Sequence, residues 1–535
     1  MYVHTPTRSL ILKVRDPLAI RLALPAASKT LALPDGHNIA VKWTVETARV
    51  LRNMGISAPS PITAFYDWPG LHKPAAHQVE MAAFCTLHDK LFNLSEPRTG
   101  KTYATLWAAD YLMKEGLVHR ALIATTVSTM RPTWAQDCFK ILPHRQCVTL
   151  HGANQKARLK HLNKMVDFYI INHDGIDLET VALALRRRPD IDLVIVDEAA
   201  FFTNPETDRY RFLHWIMEKK VKLWQLTGSP TPQCPSQAWA LANLVKPMPI
   251  SFSKFRDSVT TIVSASKRKP SAGSTEKVFE ILQPAIRFKK RDVWKNLPPL
   301  VGPRDVHAPL SKEQVAALKT MRVDMRAVIN DVKIGAVNGA DKILKLRQIL
   351  CGSVKDPNTG AYQHMDCDGR IDTLRGLIEE ASAKVLVIAP FKGIVRHLAD
   401  QLPKPYKRDG TRHDGFKTLI LNGDVTMAKR PAVIKQFKED CDVKAMVCHP
   451  KVMAHGLDFA EADTTVFFGP IYSNDEYTQV IERFSGMAQK NTMYLYRMLA
   501  HPMEATIYKT VDARGSMQSA ILELYEEFVN GEDEL

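Results

Sequence analysis

Nowhere in this 535-residue chain do 18 apolar residues follow one another without interruption, so no membrane-spanning helix is expected. The opening MYVHTPTRSLILKVRDP has neither a long apolar core nor a small-residue cleavage site, so a secretory signal is not expected. The eight cysteines (Cys85, Cys138, Cys147, Cys234, Cys351, Cys367, Cys441 and Cys448) are scattered, with no CxxC pair. A structural zinc site is therefore not expected, and reduced thiols in a cytoplasmic protein are the simpler expectation. No internal repeat of solenoid period is present, which excludes a stacked-repeat architecture. Acidic residues are in the minority, 57 against 72 Lys and Arg, for a formal charge of +15. Such a balance suits a polyanionic partner, because clustered cations displace counterions from phosphates. Simple solubility is the alternative, and charge alone favours a nucleic-acid partner over it. The acidic ELYEEFVNGEDEL reads as a solvated tail after a last helix.

What is present is alternation. Residues 1–70 form a small unit, with short strands in SLILKVRDP and KTLALPDG and a helix in TVETARVLRNMGI closed by Gly55. The Pro- and Gly-containing SAPSPITAFYDWPG connects it to the rest. Between 71 and 250 the apolar runs ALIATT, VDFYIINHD, DLVIVDEAA and KLWQLTGSP alternate with helical stretches, the pattern of a parallel sheet covered by helices. A charged, helix-rich region at 251–365 comes next, with a loop expected in SASKRKPSAGSTEK. Alternation resumes over 366–515 in KVLVIAP, KTLILNGD, VKAMVCHP and DTTVFFGP. Residues 516–535 complete the chain as a helix and acidic tail. The fold class expected is α/β: two parallel-sheet domains with helical insertions between them and a small N-terminal α+β unit.

Two segments carry chemistry. SEPRTGKTYATLWAADYLM (95–113) contains Gly-Lys-Thr between a strand-like and a helix-like run, with Ser95 where a phosphate loop usually has Gly or Ala. Gly100 lets backbone approach phosphates, Lys101 meets the β- and γ-phosphates, and Thr102 meets Mg2+. Almost a hundred residues later DLVIVDEAAFF delivers Asp197 and Glu198 at the end of an apolar strand. Asp197 suits a metal-bound water and Glu198 the base that orients an attacking water. An isolated Asp-Glu pair is usually a helix-initiating turn; beside a phosphate loop it signals nucleotide hydrolysis.

From these motifs outward the chain resembles the SNF2 family of superfamily 2 helicase-like ATPases, in order through about residues 66–500. YDWPGLHKPAAHQVEMAAF places Gln78 at the family's adenine-reading glutamine, and the GKT and Asp-Glu segments match motifs I and II. ALIATTVSTMRPTWAQDCFK resembles motif Ia, which puts Thr125 and Trp134 near the nucleic-acid face. QLTGSPTPQCPSQAW resembles motif III, where Thr227, Gly228 and Ser229 couple the ATP site to DNA. LQPAIRFKKRDVWKNLPPL resembles the family's segment between the two motor halves, and its Lys290 and Arg291 become candidate DNA contacts. HPKVMAHGLDFAEADTTVFFGPIYSNDEYTQVIERFSGMAQK resembles motifs V and VI, with Gly456, Asp458 and Gln479 at nucleotide-facing positions and Arg483 at a catalytic one. The resemblance implies two RecA-like domains, ATP and Mg2+ as ligands, double-stranded DNA as partner, and translocation or rewinding as the activity. The compact layout is closer to bacterial or bacteriophage members than to eukaryotic remodellers.

Three positions depart from the family pattern. Ala200 replaces a frequent His in motif II, Asp458 a frequent Asn, and Gly486 the second of two arginines in motif VI. Arg483 is then the sole arginine at a motif VI position, unless a neighbour such as Arg497 substitutes. Taken alone, QVIERFSGMAQK is an amphipathic helix with Val480, Ile481 and Phe484 inward; in this context Gln479 and Arg483 face the nucleotide. Strand-separating helicases and non-hydrolysing DNA-binding scaffolds remain as alternatives. A DNA-packaging ATPase would need a nuclease-like carboxylate cluster in the second half, where motifs V and VI stand instead.

Overall fold

Strand-forming runs in the computed structural model assemble into two separate parallel sheets, one small four-stranded antiparallel sheet and two two-stranded hairpins. The structure describes residues 1–151, 155–231, 234–264, 267–293, 298–331, 336–356, 359–404, 415–426, 428–453, 459–485 and 489–512. The chain divides into two units, Met1–Val293 and Trp294–Leu535.

In the first unit, β1 (Tyr2–His4), β2 (Ser9–Leu12), β3 (Ser28–Thr30) and β4 (Ile39–Lys42) form an antiparallel sheet in the order β1-β2-β4-β3. Alternate residues Leu10, Leu12, Ile39 and Val41 are buried against Trp43, Ala48 and Leu51. The helix Val45–Asn53 begins in a reciprocal cap between Thr44 and Thr47, which satisfies amides that a helix start leaves open. This small layer is joined firmly to the rest of the unit. Arg49 pairs with Asp89 at 2.9 Å and donates to the Thr86 carbonyl, and the Tyr66 hydroxyl donates to buried Asp110 at 2.6 Å.

The large sheet of this unit contains β5 (Lys90–Asn93), β6 (Arg120–Thr125), β7 (Cys147–Thr149), β8 (Phe168–Asn172), β9 (Ile191–Asp197) and β10 (Lys222–Leu226). The segment TTIVS forms β11 (Thr260–Ser264) and pairs with β12 (Lys267–Pro270). A hairpin thus stands where a loop was expected, because a β-branched run precedes the lysines. The two-residue β13 (Ala285–Ile286) then completes the large sheet, in the order β13-β5-β10-β9-β6-β8-β7 with every pairing parallel. Its central strands are buried on both faces, as continuous runs such as Leu193–Val196 require.

The second unit begins with β14 (Leu300–His307), whose Gly, Pro, Arg and Asp residues hide it from an apolar-run search. A small hairpin, β15 (Ser353–Lys355) with β16 (Tyr362–His364), precedes the central strands. These are β17 (Lys384–Ile388), β18 (Lys417–Leu421), β19 (Val443–Cys448), β20 (Ala462–Phe467) and β21 (Met493–Leu499). The sheet order is β14-β21-β20-β17-β19-β18, again all parallel. The stretch 251–365, expected as a helical region between domains, does carry the helices Phe252–Val259, Ser274–Ile281, Lys312–Asp331 and Ala336–Leu350. It also gives β13 to one sheet and β14 to the other, and the division between units falls within it. Among the described residues, no helix is long and apolar enough to cross a membrane.

Candidate functional site

The site is built at the carboxyl ends of β5, β6, β9 and β10, the edge where open parallel sheets hold ligands. From β5 the chain runs through Ser95 to Gly100 and into the helix Lys101–Lys114. Gly100 has φ +81° and caps that helix. A Cβ there would lie 2.0 Å from Gln78 Nε2, so Gln78 packs directly over the loop. Gln78 is itself held by its Oε1, which accepts from the Ala75 amide at 2.9 Å. Its neighbour His77 meets the Thr99 carbonyl through Nε2 at 2.9 Å. Burial lowers the His77 pKa, so the ring is neutral with its proton on the nitrogen facing that carbonyl. The Lys101 ammonium folds back onto its own loop, donating to the carbonyls of Ser95 at 2.6 Å and Glu96 at 3.1 Å. Thr102 comes next, half-buried in the first turn.

The segment after β13 forms one wall of this loop. The Phe288 amide donates to Ser95 Oγ at 3.1 Å, and the Lys290 amide donates to Glu96 Oε2 at 2.9 Å. Lys290 thus touches the loop through its backbone, and Arg291 extends into solvent with a side chain 78% exposed.

At the end of β9, Asp197 is held from three sides. Its Oδ2 accepts from Trp134 Nε1 at 2.8 Å and from Thr125 Oγ1 at 3.0 Å, and its Oδ1 accepts from the Glu198 amide at 3.1 Å. Trp134 and Thr125 are fully buried. Their polar atoms serve the acid. Thr129 joins Thr125 at 2.7 Å and Thr126 at 2.8 Å, so a chain of hydroxyls links the segment after β6 to Asp197. Glu198 adopts φ +51°, a conformation costing a non-glycine residue about 1–3 kcal/mol.

Beneath them, His173 Nε2 donates to the Asp197 carbonyl at 2.8 Å, between Phe201 and Phe202. Burial pushes the His173 pKa down to about 4. An unfolded histidine titrates near 6.5, so below that pH the unfolded chain binds the extra proton first. This contribution to stability is complete above pH 6.5 and is lost as pH falls toward 4, up to ~3 kcal/mol. Thermal unfolding compared at pH 7.5 and pH 5 should show that loss, and His173→Gln should reduce it.

Motif III closes the floor. The Thr227 amide donates to the Asn93 carbonyl at 3.1 Å, and Thr227 Oγ1 accepts from the Ser229 amide at 3.2 Å. A Cβ on Gly228 would come 2.8 Å from Pro97 Cδ, so this glycine permits the motif to lie against the phosphate loop. Ser229 is exposed.

In the second unit, the helix Asn474–Phe484 is capped by Ser473 and buries Val480 and Phe484 completely. Gln479 and Arg483, four residues apart, are half-buried on one side of it. Arg497 is occupied elsewhere: it donates to Tyr477 Oη at 2.9 and 2.7 Å and to both Asp512 oxygens at 2.9 and 2.6 Å. That removes it as a substitute for the missing motif arginine. Gly456, Asp458 and Gly486 lie outside the described residues. In Arg186–Arg188, Arg186 pairs with Glu218 and Arg188 with Asp190, leaving Arg187 as the exposed member.

Sequence reasoning thus found Gln78, Gly100, Lys101, Thr102, Asp197, Glu198 and the Thr227–Ser229 turn, which the structure gathers at one sheet edge. It gave no role to His173, Thr129 or His77, whose contacts are made over 24 residues, within one short turn, and over 22 residues.

Comparison with known proteins identifies the family. A family model described as the SNF2-related domain matches residues 90–357, and one described as the helicase conserved C-terminal domain matches 369–485. Protein CHROMATIN REMODELING 4 of Arabidopsis thaliana is 20% identical over 440 residues, covering 75% of this chain and 18% of that protein. The human DNA annealing helicase and endonuclease ZRANB3 is 20% identical over 419 residues, covering 75% of this chain and 36% of that protein. The chain therefore spans well under half the length of these relatives. Among solved structures, the Sulfolobus solfataricus SWI2/SNF2 ATPase core in complex with dsDNA matches at 18% identity and a TM-score of 0.40, covering 87% of this chain and 94% of that one.

Proposed function

The chain belongs to the SNF2-related family, and on that premise we propose that it is an ATP-driven motor acting on DNA, duplex in preference to single strands. The observation that supports this reading most is the joining of three motifs at one sheet edge. Gln78 covers Gly100, Gly228 abuts Pro97, and Asp197 is fixed by three donors. Names of relatives that refer to chromatin remodelling and DNA annealing point to DNA as the partner.

In this proposal Gln78 reads the adenine edge, while Lys101 leaves the Ser95 and Glu96 carbonyls for the β- and γ-phosphates. Glu198 orients the attacking water, and Arg483 stabilises charge on the phosphoryl group in flight. The resemblance assigns nucleotide contacts to Gln479, Gly456 and Asp458 as well. Thr102 and Asp197 offer the hydroxyl and carboxylate oxygens that Mg2+ prefers and would hold it; bound there, the ion would neutralise charge on the phosphates. The Thr126–Thr129–Thr125–Asp197 chain and the Thr227–Ser229 turn link the nucleotide to surfaces open to DNA, where Lys290 and Arg291 contribute cations. Contacts to phosphates should dominate, so binding should weaken steeply with salt.

The test is phosphate release across duplex, single-stranded, forked and RNA ligands, with Lys101→Ala as the blank. Stimulation by duplex DNA together with triplex displacement supports translocation. Efficient unwinding of forked DNA without triplex displacement would replace it with a strand-separating helicase. Absence of release above the blank would leave a DNA-binding scaffold.

The grip on Asp197 can be tested separately. A hydrogen bond to a charged group contributes about 1.5–3 kcal/mol, equivalent to roughly 10–100-fold in rate where the transition state needs it. Trp134→Phe keeps the buried ring and removes the donor. DNA-stimulated turnover should fall within that range, with nucleotide affinity changed less than about threefold. Unchanged turnover would show that Thr125 and the Glu198 amide hold the acid without Trp134.

A further inference from the structure

Two free thiols of the first unit lie against each other. Cys138 sits in the helix Gln136–Ile141 and is buried, while Cys147 opens the edge strand β7 and is half-buried. The Cys138 thiol donates to the Cys147 sulfur, and Cys147 Sγ faces the Ala135 carbonyl at 4.0 Å. Cys147 also lines an open cavity of about 400 Å3, with Arg145, Val148 and Lys164 among its other walls. One member of the pair is thus reachable from solvent and the other waits behind it. Cys351 and Cys367 of the second unit are neighbours too, but both are buried, and burial holds their thiols up at about 11 and about 12.

Peroxides oxidise thiolates, and a sulfur that accepts a hydrogen bond from a second thiol is favoured as the thiolate. The bond from Cys138 lowers the Cys147 pKa against the effect of burial and keeps Cys138 itself protonated. We propose that Cys147 and Cys138 are a peroxide-oxidisable dithiol, in which Cys147 reacts from the cavity and Cys138 closes a disulfide behind it. In the first step the Cys147 thiolate attacks one peroxide oxygen. The O–O bond breaks, Cys147 becomes a sulfenic acid, and the other oxygen leaves as hydroxide. In the second step the Cys138 sulfur attacks the Cys147 sulfur. The S–O bond breaks, and the hydroxyl leaves as water with the Cys138 proton. The two sulfurs together give up two electrons, which one peroxide accepts. The helix of Cys138 continues directly from the segment Met130–Ala135, whose Trp134 donates to Asp197. A disulfide holds its sulfurs at about 2 Å, closer than hydrogen-bonded thiols, so closing it draws this helix toward β7 and shifts Trp134. That consequence, unlike the disulfide, rests on the reading of Asp197 as part of an ATP site.

The test treats the reduced full-length protein with hydrogen peroxide, then maps its peptides and measures phosphate release. The expected product is a Cys138–Cys147 cross-link within one chain, reversed by dithiothreitol and formed ahead of oxidation at exposed Cys441. Cys138→Ala should instead leave a sulfenic acid at Cys147 that a dimedone probe labels, and Cys147→Ser should form no cross-link. DNA-stimulated turnover of the oxidised wild type should fall by about 5–150-fold, the span of typical coupling between two sites, and return with dithiothreitol. Peroxide-treated Cys147→Ser should keep its turnover. Absence of the cross-link at peroxide levels that oxidise Cys441 would overturn the proposal, as would a disulfide from Cys147 to any other cysteine. A cross-link with unchanged turnover would overturn the link to Trp134 and uphold the modification site. Reduced protein that cross-links as expected but shows no Lys101-dependent hydrolysis would overturn the ATP-site reading and leave the dithiol in place.

Discussion

Lys101→Ala should reduce phosphate release on saturating duplex DNA by at least about 10²–10³-fold, the usual cost of removing one charge-stabilising donor from a reaction site. The resting structure explains why the effect should be specific. The ammonium is bound to two carbonyls of its own loop, Ser95 and Glu96, and is half-exposed. Water can take over those acceptors in the variant, and alanine at a first helical position is a favourable helix former. Gly100 keeps its left-handed turn under Gln78, and the helix Lys101–Lys114 keeps its buried face of Leu106, Trp107, Ala108 and Leu112. A thermal melt close to wild type is therefore expected alongside the lost turnover. Retained hydrolysis at that stability would place the reaction away from this loop and remove the premise of every role assigned around it.

The residues that sequence alone identified share a property: their function depends on local chain geometry. Gly100 must turn left-handed, Lys101 and Thr102 must start a helix, and Asp197 and Glu198 must end an apolar strand. Each requirement is written within about ten consecutive residues. The parallel strands were legible for the same reason, since burial on both faces demands an unbroken apolar run. Less visible were contacts closed across the fold. Trp134 and Asp197 are 63 residues apart and meet because β6 lies beside β9. An indole looks like core filling until that neighbour is known. β14 was hidden by its polar composition, because an edge strand pairs through backbone and needs no apolar face on its open side. Arg497 stood as a substitute for the missing motif VI arginine only while Tyr477 and Asp512 were unplaced.

Arg483→Ala should lower DNA-stimulated turnover by about 10³–10⁵-fold, the range attributed to an arginine that stabilises phosphoryl transfer, with ATP affinity changed less than about threefold. Alanine favours helix, and Val480 and Phe484 still anchor the helix Asn474–Phe484 in the core, so loss of activity would not reflect unfolding. A smaller effect would require another cation to act in place of Arg483, and three conspicuous arginines of this unit are committed. Arg497 is bound by Tyr477 and Asp512. Arg370 pairs with Glu504 in full burial. Arg347 donates to the Pro470 carbonyl and lies 3.8 Å over the Tyr472 ring. Freeing any of them would leave a buried carboxylate, hydroxyl or carbonyl unpaired, at about 1–3 kcal/mol or more. Near-normal turnover in Arg483→Ala would therefore mean that the motif VI assignment itself is misplaced along the helix.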